Sequence, residues 1–186
     1  FGGASWLAHA ALLSGIDMRE PGRYETLLTT RRTTLVSHFS DHGYRSVAWL
    51  PGIQRPWPEG RFYRFARYGE ARDIGYAGPA FGYWRIPDQA AMALLHDQEL
   101  KASDDGGQRR PRFVVFPIVS SHAPFRPVPP FVEDGWAPLA RAEGQMQAWN
   151  PEAVAAALAE PGDWAHPTPA YIDSLRYTLR WLGDYL

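Results

Sequence analysis

Ser5 follows the pair Gly2-Gly3 and heads the run Ser5-Trp6-Leu7-Ala8-His9-Ala10-Ala11-Leu12-Leu13-Ser14-Gly15, whose apolar residues have helical spacing. A hydroxyl at a helix start has two uses. It caps the unpaired backbone N–H groups, or it serves as a nucleophile toward an anion that those N–H groups and the helix dipole attract. A second candidate is His122, in Ser120-Ser121-His122-Ala123-Pro124, directly after the apolar run from Phe113 to Val119. A histidine just past a buried strand lies where an α/β sheet presents its ligand groups. The plainer reading is a loop histidine bonded to a backbone carbonyl.

Other residues carry weaker signals. His9 is one helical turn beyond Ser5 and suits either contact with a transferred group's oxygens or packing on a half-buried helix. His38, His96 and His166 read as surface or capping residues, and Arg31-Arg32 as a solvated pair or an anion holder. The neighbours Asp41-His42 have ligand chemistry for zinc or manganese. However, Leu35, Val36 and Phe39 precede them with helical spacing, and Gly43 suits a helix end, so capping is the better expectation. Eight tryptophans serve a core or line a cleft for sugars or lipid head groups.

These side chains need elements to hold them. At 186 residues with 45% hydrophobic content, the chain can bury a substantial core as one domain spanning 1–186. A net charge of −1 gives no electrostatic footprint for nucleic acid or an anionic membrane. The absence of cysteine excludes disulfides, thiolate catalysis and cysteine-held zinc while leaving the compartment open. No run approaches the roughly 20 apolar residues that cross a bilayer, and no repeat or linker divides the chain. Because it starts at Phe1 and runs straight into a motif, we expect it to be a piece of something longer.

The spacing predicts helices over Trp6 to Leu13, Thr34 to Asp41, Pro87 to Leu100 and Glu152 to Leu158, and an amphipathic C-terminal helix. In that last helix, Ile172, Leu175, Leu179, Leu182 and Leu186 form the stripe expected to face the core. Ser46 to Leu50 and Phe113 to Val119 read as strands covered on both faces. Proline and glycine mark long loops from Pro51 to Pro79 and from Pro124 to Pro138, with Trp57, Trp84 and Trp136 in or near them. Helices alternating with such strands imply an α/β domain with a mostly parallel sheet.

The segment from Ser5 to Gly15 resembles the nucleophile segment of the sulfatase and alkaline phosphatase superfamily, in which a nucleophile heads a helix ending in Leu-Leu-Thr-Gly or similar. Phe116 to Phe125 resembles its strand and His-x-Pro turn, with His122 on the substrate-site histidine. Gly43-Tyr44-Arg45-Ser46, then Trp57, Arg61, Tyr63 and Tyr68-Gly69, resemble the middle of the membrane-anchored phosphoglycerol transferases related to lipoteichoic acid synthase. The likeness implies a three-layer alkaline phosphatase-like domain, of which this chain is the central fragment. It implies Ser5 and His122 as catalytic residues, with Ser5 also a metal ligand, and Trp57, Arg61 and His9 as substrate-binding residues. It also implies that Ser5 and His122 share one rim.

Departures from the pattern narrow what it implies. Sulfatases modify their nucleophile within Cys/Ser-x-Pro-x-Arg, and here Leu7 and His9 replace the proline and arginine, so Ser5 is expected to remain serine. An unmodified serine suits phosphoryl transfer through a phosphoserine. Ser40-Asp41-His42-Gly43 contains the superfamily's Asp-His-Gly metal motif by letter, but follows a helical pattern instead of a strand. The remaining ligands of a divalent metal (Mn, Zn, Mg or Ca) are expected outside this chain, leaving the isolated piece inactive. The implied setting is extracytoplasmic and membrane-anchored through segments not present here, with a lipid, glycan or small-molecule phosphoester as substrate. The alternatives are a sulfuric ester hydrolase on the same scaffold and a non-catalytic glycan-binding module using Trp57, Trp84 and Trp136.

Overall fold

The computed structural model describes residues 4–101 and 109–186. They fall into two compact units: the first takes residues 4–48, 56–68 and 109–115, and the second 49–55, 69–101 and 116–186. The class is mixed α/β, with a three-stranded parallel sheet in the order β2-β1-β3.

The first unit begins with α1 (Ser5–Ser14), α2 (Pro21–Leu28) and α3 (Leu35–Asp41). Gly15 ends α1 in the left-handed region at φ 68°, its N–H reaching Ala11 O at 2.9 Å, so a glycine belongs at this stop. The helix buries Leu7, Ala10, Leu13 and Ser14; Leu7 and Ala10 pack with Met18 and Leu27. A reciprocal capping box starts α3: the Thr34 side chain accepts from Ser37 N at 3.2 Å, while Thr34 N donates to Ser37 Oγ at 2.8 Å. Helix α2 lies outside the predicted elements; it is short, buries Leu27 alone, and its apolar stripe is limited to Tyr24, Leu27 and Leu28.

Strand β1 (Arg45–Leu50) pairs in parallel with β3 (Arg112–Val115), Val47 facing Val114 and Ala48 facing Val115. On its other side is β2 (Arg67–Glu70). There, hydrogen bonds advance in the same direction along both segments, from Ala66 N to Ser46 O and from Ala71 N to Ile53 O. The central strand is buried as predicted. The expected strand over Phe113 to Val119 is shorter: pairing stops at Val115, and β3 is only half-buried. Its position at the sheet edge explains the exposure, because one of its flanks has no strand beside it among the described residues.

In the second unit, α4 (Asp88–Leu95) continues into a π turn, His96–Leu100, matching the predicted helix in extent. It is buried nearly all round, and Trp49 Nε1 donates to Ala91 O at 2.8 Å. Gly69 lies so close to the Trp49 ring that a Cβ there would collide with it. Three short helices follow, α5 (Trp136–Leu139), α6 (Ala142–Ala148) and α7 (Pro151–Ala159), and then α8 (Thr168–Tyr185). A core cluster joins Phe81, Ala90, Ala93, Val132, Leu139 and Trp149.

The inward face of α8 differs from the expectation. Ser174, Tyr177, Thr178 and Trp181 are buried, whereas Ile172 is 41% exposed, Leu179 66% and Leu186 93%. The two hydroxyl residues enter the interior because their donors are satisfied within the helix, Ser174 Oγ by Tyr171 O and Thr178 Oγ1 by Ser174 O. The rings of Tyr177 and Trp181 then supply the buried area.

Candidate functional site

Helix α1 begins at Ser5, but the capping position is Ala4, which has no side-chain acceptor. Ser5 is therefore the first residue inside the helix, exposed, and without a capping bond from its hydroxyl. The simple N-cap role does not apply to it. His9, four residues on, shares its helix face, and a helical side chain leans back toward the N-terminus. Desolvation lowers the His9 pKa although much of the residue is open to solvent, favouring a neutral ring with one nitrogen free to accept.

The loop bearing Trp57 and Arg61 is built in the same unit. Trp57 precedes a 3-10 turn, Pro58–Phe62, and stacks on Tyr63 with ring centroids 5.7 Å apart. Side chains of Trp57 and Tyr63 reach the hydroxyl of Tyr24, and the Tyr24 ring meets Trp6 edge to face at 4.9 Å. Phe62 and Ala4 also pack on the cluster formed around Leu7 and Leu27. Tyr24 thus links the loop to the residue after Ser5. Burial raises the Tyr24 pKa, with the Glu59 charge adding to it, and burial raises that of Tyr63, so both phenols stay neutral. Arg61 is exposed. Sequence reasoning did not single out Tyr24, whose signal is only one aromatic residue in a polar helix.

His122 belongs to the second unit, on a turn held from below by a buried carboxylate. Asp88 is fully buried at the start of α4 and accepts from Val119 N at 2.9 Å and Ser120 N at 2.8 Å. In return, Asp88 N donates to Ser120 Oγ at 3.2 Å, which satisfies one orphan N–H of that helix. Burial pushes the Asp88 carboxyl up to about 6 against the opposing pull of these hydrogen bonds. The turn closes with His122 N donating to Val119 O at 3.0 Å.

His122 itself is exposed, with its ring edge-on to Trp84 at 4.7 Å and Nδ1 2.7 Å from Ala123 O. A carbonyl only accepts, so Nδ1 carries the hydrogen and Nε2 of the neutral ring is the free acceptor. The backbone contact of the plainer reading is present, and it leaves one nitrogen available. Trp84, Phe81, Ile86, Ser120, Pro124 and Pro127 line a cleft of about 330 Å³ including its open mouth. Arg126, at the same cleft, is committed to Glu160 at 2.7 Å and Asp173 at 2.8 Å.

The chain matches no family model, no curated protein and no solved structure. What the geometry offers therefore stands on these residues alone. Among the described residues, no group of three or more histidine, cysteine or acidic side chains is arranged to hold a metal, so Ser5 has no co-ligands beside it and the residues present do not fit a catalytic metal centre. Asp41 and His42 are, as expected, the last residue and the cap of α3. No described helix is long and apolar enough to cross a membrane.

Proposed function

We propose that this chain is the central part of a three-layer alkaline phosphatase-like domain that hydrolyses or transfers phosphate esters through Ser5. The observation that carries the reading is an exposed serine hydroxyl at the first residue of a helix, relieved of capping by Ala4. In the proposed step, Ser5 Oγ forms a bond to phosphorus as the bond to the leaving oxygen breaks. The hydroxyl proton passes to the neutral His9 ring, and backbone N–H groups at the start of α1 face the charge on the phosphoryl oxygens. Trp57 and Arg61, on the loop fixed through Tyr24, provide an aromatic edge and an exposed cation for the substrate. His122, in the second unit, keeps Nε2 as a free acceptor and is given no step at Ser5. No step is assigned to a metal. The proposed substrates are cell-envelope lipid or glycan phosphoesters, in an extracytoplasmic, membrane-anchored protein.

The glycan-binding alternative receives less support from the three tryptophans named for it. Trp57 is stacked on Tyr63, Trp84 is flanked by Tyr83 and His122, and Trp136 Nε1 is bonded to Asp184. Each is half-buried and already engaged by a neighbouring side chain.

The test is turnover of an aryl phosphate by the longest natural chain containing these residues, assayed with manganese or zinc, and trapping of the phosphorylated residue. Ser5→Ala is expected to lower turnover at least a thousandfold, about 4 kcal/mol of barrier. Full activity in the Ser5 variant, or phosphate trapped on a different residue, overturns the proposal.

A further inference from the structure

His38 and His42 stand four residues apart at the end of α3, one in its last turn and the other at its cap. Both are exposed. Their ring centroids are 4.3 Å apart with the planes tilted by 41°. The backbone keeps helical pitch between them, since His42 N donates to His38 O at 3.2 Å. The same carbonyl receives the ring, with His42 Nδ1 at 2.8 Å. Nδ1 must then be the donor, and the Nε2 lone pair of His42 is directed by elimination to solvent chemistry. Such a second hydrogen bond to a backbone carbonyl is the usual device that fixes the tautomer and raises the basicity of a metal-binding imidazole. Neither ring nitrogen of His38 has a hydrogen-bond partner among the described residues.

Two imidazoles on neighbouring positions of one ion, at metal–nitrogen bonds of about 2.0–2.1 Å, place their ring centres about 4.5–5 Å apart. The observed spacing is a few tenths of an ångström short of that, a difference that a small side-chain rotation covers without moving the backbone. The last carbonyls of the helix add a favourable field for a cation.

We propose that His38 and His42 form a two-imidazole site for a divalent transition-metal ion, with water completing the coordination. Nitrogen ligands select copper, nickel or zinc over magnesium and calcium, and the general order of affinities puts copper first. The ion clips the final turn of α3 immediately before Gly43, whose φ of 85° turns the chain into β1. The site is independent of Ser5 and of the phosphoester reading, and involves neither its residues nor its chemistry.

Calorimetric titration of the purified chain with copper, nickel and zinc chlorides at neutral pH tests this, with the thermal midpoint followed in parallel. Binding to the wild-type protein should raise the midpoint. His38→Ala and His42→Ala should each weaken binding at least tenfold and abolish the rise, while His96→Ala and His166→Ala leave both unchanged. Because both rings are exposed, the variants are expected to fold, and unchanged circular dichroism checks it. Absence of binding by all three ions at about millimolar concentration overturns the proposal. So does undiminished affinity in both folded variants.

Discussion

Asp88 shows how one side chain can fix the position of a turn far from it in sequence. Its two carboxylate oxygens are the acceptors for Val119 N and Ser120 N, and its own N–H is received by Ser120 Oγ. Asp88→Ala would strand the two donors, at about 1–3 kcal/mol for each buried unsatisfied group. We therefore expect a loss of about 2–6 kcal/mol in urea unfolding, with Ser120→Ala costing about 0.5–2 kcal/mol as the loss of a cap. An Asp88→Ala protein as stable as the wild type would remove Asp88 from this role. Ser5 provides the contrast. Its hydroxyl is exposed and is not the cap, so Ser5→Ala should change stability by less than about 0.5 kcal/mol even where it abolishes turnover.

At the scale of elements, the sequence disclosed those with strong local signals. Apolar β1 and the close of α3 before Gly43 are legible because each rests on neighbours in the chain, whereas the Thr34 capping box was not read from the sequence. The helix start at Ser5 was legible for the same reason, whereas the roles of Tyr24 and Asp88 depend on partners tens of residues away. Helix α8 shows where periodicity misleads. Its Ile172 to Leu186 stripe has ideal spacing, yet burial went to the face with two large rings and two self-satisfied hydroxyls. The two faces give opposite expectations that urea unfolding can separate. Trp181→Ala, at 2% exposure, should cost about 3–5 kcal/mol. Leu179→Ala, at 66% exposure, should cost less than about 0.5 kcal/mol. The reverse order would restore the predicted stripe as the packed face.

For the whole molecule, the same buried carboxyl sets a pH dependence of unusual sign. Asp88 has a folded-state pKa of about 6 against an ordinary value of 3.8. Between those values the native protein keeps a proton that the unfolded chain has lost. Stability contributed by Asp88 is thus full below about pH 3, falls most steeply between about pH 4 and 6, and is constant above about pH 7. The gap between the folded and unfolded pKa values corresponds to about 3 kcal/mol. Other groups act in the opposite direction. Hydrogen bonds from His166 and Arg126 lower the pKa values of Asp163 and Asp173, which lose their stabilisation as pH falls through the acid range. Desolvation lowers that of His9, whose contribution is present near neutrality and declines as pH falls below the ordinary imidazole range. A single pH profile mixes these effects, but the difference between wild type and Asp88→Asn isolates one, because the amide does not titrate. Unfolding free energies measured from pH 3 to 7 should show the wild type losing about 3 kcal/mol relative to the variant, about 2 kcal/mol of it between about pH 4 and 6. Parallel profiles across the entire range would mean that Asp88 titrates as an ordinary carboxyl, and the burial assigned to it would then be wrong.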